Sequence, residues 1–188
     1  MERSKTKITT SGEVLVAGNK VIIRTKKLSD ARDDYTWESD RELAELDAVY
    51  ALTIPFSRYL SEYSNELHRP YVNSRYFGVD TLDGKHIGNC SYYHFDEARG
   101  ETELGIMIGN RDYWDKGYGK DTVTALVDYI FRTTEINRIY LKTLEANYRA
   151  QKCFEKSGFS WCGRLLNAGT NFMLMEMSRK QWDTRGGG

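Results

Sequence analysis

The stretch that most constrains the fold runs from Glu101 to Leu144 and turns on "WDKGYGKD", Trp114–Asp121. "ETELGIMI" alternates β-formers and reads as a strand over Glu101–Ile108. "TVTALVDYIFRTT" belongs to a helix from about Gly119 to Arg132, with Val123, Val127 and Ile130 at helical spacing and Leu126 and Phe131 widening the stripe. "INRIYLKTL" is a further strand, expected to be buried on both faces near its middle. A helix crossing between strands prescribes an α/β domain with a mixed, mostly antiparallel sheet. The glycines at the junction admit two explanations. One is a tight turn that needs only glycine's backbone freedom. The other is a phosphate cradle, since a helix N-terminus has free N–H groups and the positive end of the helix dipole. The stretch is no Walker loop, and it lacks the third glycine and ribose acid of the dinucleotide fingerprint.

The remaining segments fit around this unit. Residues 1–12 form a polar lead-in, and "EVLVAG" and "VIIRTKKL" are short strands pairing around Gly18-Asn19. Ser29 is placed as the N-cap of a helix with acidic residues in its first turn. The helix-favouring run from Asp40 to Leu67 should break at Pro55. Its acids Asp40, Glu42, Glu45 and Asp47 read as a solvated face. Asp83-Gly84 signals a hairpin within "SRYFGVDTLDGKHIGNCSYYHF". "NYRAQKCFEKSG" is a short helix from Asn147 to a glycine stop at Gly158. "FSWCGRLLN" and "NFMLMEMS" close the sheet through Ala168-Gly169-Thr170. We expect one domain over residues 1–185 and a disordered tail over 186–188.

Lysines plus arginines and aspartates plus glutamates both number 27 in the 188 residues, so the net charge is zero. That balance argues against a nucleic-acid partner bound by bulk charge. No apolar run approaches the ~20 residues of a membrane helix, and the first residues lack an apolar signal core, so the expectation is a cytoplasmic protein without a membrane partner. Cys90, Cys153 and Cys162 form no CxxC pair, and His68, His86 and His94 lack ligand spacing, so no metal site is expected. The cysteines read as packing residues, Cys153 sharing a helix face with Ala150 and Phe154.

Two segments together point further. "WDKGYGKDTVTALVDYIF" followed by "INRIYLKTLEANYRAQKCFEKSGF" resembles the GNAT superfamily of acetyl-CoA-dependent N-acetyltransferases. Gly117, Tyr118 and Gly119 match the core of that family's loop, [Q/R]xxGx[G/A]. Asn147, Ala150, Glu155, Lys156, Gly158 and Phe159 match its second signature, an asparagine and a helix ending in "YEKxGF". The likeness spans roughly residues 85–178. More faintly, "VIIRTKKLSDARDDYTWESDRE" is similar to the opening of the subgroup that acetylates ribosomal-protein α-amines, polyamines and amino sugars.

The resemblance implies a GNAT fold, acetyl-CoA as cosubstrate, no metal, and direct attack by an amine in a ternary complex. Backbone groups of Met107 and Ile108 would hold pantetheine and polarise the thioester carbonyl. The amides of Gly117, Tyr118, Gly119 and Lys120, with Asp121 at the helix start, would hold the diphosphate, and Lys116 and Lys120 would offset Asp115. Asn147 would bond the pantetheine arm, while Ala150 and Phe154 would border the cofactor. Glu103 is the candidate base, acting through water; the plainer alternative is an exposed strand residue or one paired with an arginine. Tyr92 and His94, expected on one strand face, are candidates for the acceptor pocket, although His94 equally suits an ordinary half-buried role. Phe154 stands where many members carry the tyrosine that protonates the leaving thiolate, so the proton would come from water, Tyr148 or Ser157. The partner would be a small-molecule or peptide amine: a peptide α-amine, a polyamine, or an amino sugar or aminoglycoside. Glu38, Glu42 and Glu45 either attract such a cation or simply face water. Exposed strand edges make a homodimer plausible. The competing functions are a non-catalytic acyl-CoA-binding or sensing module and a purely structural domain with a glycine turn.

Overall fold

The computed structural model describes residues 12–69 and 71–187. The lead-in therefore lies almost wholly outside the described residues, as does Gly188. The strands are β1 Val14–Ala17, β2 Val21–Thr25, β3 Arg75–Thr81, β4 His86–Asp96, β5 Glu101–Met107, β6 Arg138–Leu144, β7 Ser160–Asn167 and β8 Thr170–Ser178. They form one sheet in the order β1-β2-β3-β4-β5-β6-β8-β7, in which only β5 and β6 run parallel. Helices α1 Ala31–Glu38, α2 Arg41–Leu46 and α3 Phe56–His68 precede β3; α4 Tyr118–Thr133 is the crossover, α5 Tyr148–Ser157 follows β6, and α6 Arg179–Trp182 follows β8.

Strand alternation sorts the core. Val21, Ile23, Phe77 and Val79 join Val123, Leu126, Val127 and Ile130 of α4 in the main apolar cluster. Their strand neighbours Arg24 and Asp80 point to the other face, where α1 lies. That second interface is ionic. The Arg24 guanidinium bonds Asp30 at 2.7 and 2.9 Å and Asp80 at 2.6 Å, and His86 bridges Asp80 and Asp34 at 3.1 Å each. Tyr59 and Tyr63 of α3 then cover α1 at Ala31.

Local rules account for most boundaries. Gly158 ends α5 with φ 103, a left-handed conformation that glycine adopts without a Cβ penalty. Gly84 (φ 86) and Gly169 (φ 82) make the hairpin turns of β3–β4 and β7–β8. Three expectations change. Ser29 is not a cap: it sits inside a short 3₁₀ turn, Leu28–Asp30, and Asp30 precedes α1 while holding Arg24. The helical run is in two pieces on either side of Pro55, as expected, but the first stops already at Leu46, and Pro55 caps the second, α3. Strand β6 is not buried on both faces. Ile139, Leu141 and Thr143 are buried, whereas Lys142 is open, because the opposite face borders a cleft. Asp183–Gly187 follow α6 as a π-type turn broken at Gly186, which takes φ 86. No helix among the described residues is long and apolar enough to cross a membrane.

Candidate active site

The parallel pairing of β5 with β6 covers only Glu101–Arg138, Thr102–Ile139 and Glu103–Tyr140. Beyond that vertex the strands part, leaving a wedge between Leu104–Met107 and Leu141–Leu144. A cleft of about 500 Å³ opens there, running from Ile106, Met107 and Ile108 to the front of α4, with α5 as its other wall. A smaller pocket adjoins it on the side of Tyr93, Gly105, Lys142 and Phe172; Asp47, Asn147, Ala150 and Phe154 border both.

The glycine turn supplies one end. Gly117 takes φ 85 and Asp115 φ 56, bending the chain into α4. The Asp121 N–H already donates to the Gly117 carbonyl at 3.0 Å, so the amides left over at the helix front are those of Tyr118, Gly119 and Lys120. The Asp121 carboxylate turns away: it accepts from the Asn19, Lys20 and Val21 amides at 3.1, 2.7 and 3.1 Å, anchoring the β1–β2 turn. Asp121 is thus a structural anchor and not part of the cradle. Lys116 is also no part of the cleft wall, since its Nζ donates to the Asp112 carbonyl at 2.7 Å. The Tyr118 ring packs edge-on against Tyr113, so only its backbone remains for a ligand. The Ile108 carbonyl is taken by Trp114 Nε1 at 2.6 Å.

In place of Lys116 the cleft carries Lys120, Arg149, Lys152 and Lys156, with the Arg149 guanidinium 3.3 Å from the centre of the Trp114 ring. The sequence reading missed Arg149 and Lys152 as ligand-facing residues and used Lys156 only as a motif match. Their spacing was the available signal, because residues 149, 152 and 156 fall on one helical face. Cys153 also borders the cleft rather than lying in the closed core, and burial raises its thiol to about 11.

At the start of α5, Asn147 Oδ1 accepts from the Ala150 amide at 3.1 Å, and Nδ2 donates to the Leu46 carbonyl at 3.4 Å. The second bond fastens the end of α2 across the mouth of the wedge. Phe154 is buried against Phe159 and brings no proton to the junction. Of the alternative donors, Ser157 is committed to the Cys153 carbonyl at 2.9 Å and does not line the cleft, while Tyr148 does and is 69% exposed. Asp47 follows α2, and its side chain makes no hydrogen bond or ion pair among the described residues. It is exposed and borders both cavities, and desolvation by the surrounding protein pushes its carboxyl up to about 6.

Glu103 occupies the vertex. It is neither exposed nor paired with an arginine: its side chain is 2% exposed, receives Lys142 Nζ and Tyr93 Oη at 3.1 Å each, and shares a hydrogen bond of 3.0 Å with His94 Nδ1. Tyr92 and His94 do not share a face. Tyr92 opposes Leu104 in the core, packed between Phe77 and Phe95. His94 takes φ 53 at an irregularity between Tyr93 and Asp96, which turns its ring to Glu103 and leaves it 65% exposed. Tyr93, opposite Glu103, takes the pocket position that the alternation assigned to Tyr92. The remaining acids divide. Asp40 caps α2 and, with Glu42, holds Arg111 at 2.9 and 2.7 Å, and Glu38 accepts from Tyr59 Oη at 2.8 Å. Among the described residues no group of histidine, cysteine or acidic side chains is arranged to hold a metal.

A splayed parallel pair with a glycine-fronted helix at one end makes a long cleft fit for an extended ligand, and the comparisons with known proteins give the class. Residues 20–160 match the family model described as the acetyltransferase (GNAT) domain. An N-acetyltransferase named p20 from Bacillus licheniformis is 26% identical over 147 residues, 78% of this chain and 82% of that protein. An aminoglycoside N(6')-acetyltransferase type 1 from Klebsiella pneumoniae is 28% identical over 115 residues, 56% of this chain and 57% of that protein. The crystal structure of spermidine N-acetyltransferase from Vibrio cholerae, in complex with CoA and spermine, superposes with a TM-score of 0.77 at 18% identity, covering 86% of this chain and 97% of that one. The chain belongs to the GNAT acetyltransferase family, and with it to the N-acetyltransferases that take acetyl-CoA as donor.

Proposed function

We propose that this enzyme moves the acetyl group of acetyl-CoA to a primary amine of a small cationic molecule, of the polyamine or aminoglycoside kind, by direct attack with both substrates bound. The observation that carries this reading is the wedge. Past the Glu103–Tyr140 pair the facing backbone edge of β5 has no strand partner, which suits an extended pantetheine arm lying alongside it. Three free amides and four cations at the far end suit the diphosphate and phosphate of CoA.

In this reading Met107 contacts pantetheine, while Ile108 contributes its N–H alone. Asn147 keeps one amide hydrogen for the same arm, and Ala150 and Phe154 border the thioester. Glu103 remains the proposed base, but buried and triply bonded it acts through its neighbours. The attacking nitrogen gives its proton to the Tyr93–Glu103–His94 chain, and His94, exposed to water, carries it out. Support for the acceptor class comes from relatives named for aminoglycosides and from the neighbour solved with spermine. Calorimetry with acetyl-CoA and a thiol-release assay with spermine, kanamycin and a short peptide test the reading together. Binding with thiol release on spermine or kanamycin is expected. Absence of any heat with acetyl-CoA would sink it.

A further inference from the structure

Phe154 creates a chemical deficit: the departing thiolate needs a proton, and the side chain in this place has none. Around the junction of the cofactor cleft and the acceptor pocket, the groups able to ionise are Asp47 after α2, Tyr93 on β4, Glu103 on β5, Lys142 on β6, and Tyr148 and Cys153 on α5. Lys120, Arg149, Lys152 and Lys156 line the same cleft toward the diphosphate end. Most are committed. Lys142 and Tyr93 are bound to Glu103, and burial followed by the Glu103 charge raises the Tyr93 hydroxyl, so it is a poor acid toward sulfur and serves only to pass a proton on to Glu103. Cys153 is a weaker acid than a thiol in water. Tyr148 projects largely into solvent. Asp47, although exposed, makes no hydrogen bond or ion pair among the described residues. It borders both cavities together with Phe154, and it is near enough to Tyr93 to influence that hydroxyl. The Asn147–Leu46 bond holds the end of α2 in this place.

Building on the acetyl-transfer reading, we propose that the Asp47 carboxyl is the acid that protonates the leaving CoA sulfur. The amine nitrogen bonds to the thioester carbonyl carbon, and the carbon–sulfur bond breaks with its electron pair going to sulfur. Asp47 gives its proton to that sulfur, leaving CoA as the thiol and Asp47 as carboxylate. The surplus proton on nitrogen leaves through Tyr93, Glu103 and His94, and Asp47 is reprotonated from water after the products depart. Desolvation already raises this carboxyl to about 6, and a bound cofactor that displaces cleft water raises it further. An acid must be protonated to act, so turnover should fall as pH rises through the Asp47 pKa in the ternary complex.

The test uses Asp47→Asn with spermine as acceptor. We expect kcat to fall roughly 10²-fold, at the low end for general-acid loss because a thiolate leaves readily. The acetyl-CoA affinity should stay close to wild type, and the descending limb of the kcat profile should vanish. Adding Phe154→Tyr to that variant should restore kcat and carry the limb toward ~10, the phenol region. A second measurement needs no acceptor. The thiol of bound CoA, followed by its ultraviolet thiolate absorbance, should ionise at lower pH in Asp47→Asn, because a neighbouring negative charge has been removed. Unchanged kcat and limb, or an unchanged thiol pKa in bound CoA, overturns the assignment of Asp47 alone. Wild-type protein that binds no CoA in the same titration overturns the acetyl-transfer reading, and this proposal with it.

Discussion

Glu103 shows how much depends on a single side chain's partners. A carboxylate this buried is tolerable only when matched, and Lys142, the Tyr93 hydroxyl and the His94 ring match it. Glu103→Gln keeps the shape and removes the proton acceptor. Steady-state kinetics across pH 6–9 should show kcat reduced by about 10²–10⁴-fold; wild-type turnover would end its role as base. Asp121 makes the opposite case, an acid in the glycine motif whose work is structural. Asp121→Ala strips three backbone donors of their acceptor and should cost about 1–3 kcal/mol. Thermal melting should register that loss while calorimetry finds the acetyl-CoA affinity of the folded protein nearly unchanged. A large loss of affinity at full stability would return Asp121 to the diphosphate site. The residue types in this site were legible from their motifs. Their orientations were not, because His94's irregular φ turns its ring away from the face that strict alternation assigns.

The element with the most conditional attachment is α1. It meets the sheet through charge, by way of Asp34, His86, Asp80 and Arg24, and through the buried Trp37 ring packed on His86. Despite opposing desolvation, the bonds to Asp34 and Asp80 raise His86 to about 9, and those from His86 and the Lys26 charge lower Asp34 to about 2. The two shifts describe one interaction and are not added. Because His86 is raised above its unfolded value of about 6.5, its contribution is whole below that pH and is lost as pH climbs through about 9. Asp34, being depressed, contributes above about 4 and loses that contribution as pH falls toward 2. Melting curves should show stability declining between pH 7 and 10 by on the order of 3 kcal/mol, and His86→Gln should flatten that decline. An equal alkaline decline in the variant would refute the tether. Helices α4 and α5 were readable in sequence nearly to the residue, since apolar spacing and the glycine stop are local. The start of α1 was not, because Asp30 is drawn to Arg24, a contact that Ser29's local capping preference does not reveal.

Across the whole molecule, zero net charge hides an uneven distribution. Lys120, Arg149, Lys152 and Lys156 gather on one cleft. Acetyl-CoA should therefore bind more weakly as salt rises from 0.1 to 1 M, over which the screening length shrinks from about 10 to about 3 Å. At ~100 times its Kd the cofactor should add about 2.7 kcal/mol of stability, raising Tm by roughly 5–10 °C for a chain this long. A Tm insensitive to acetyl-CoA, or an affinity insensitive to salt, would contradict the placement of the cations.

The sequence by itself determined the α/β class, the crossover between β5 and β6, the glycine-fronted helix and the family, because each rests on periodicity or on motifs a few residues long. The tertiary structure alone decided where the acids ended up. Whether Asp47 faces water or a cleft, and whether Glu103 is bare or paired with Lys142, depends on chain segments far apart in sequence. They meet only when the strands part past Glu103 and α2 is fastened over the gap.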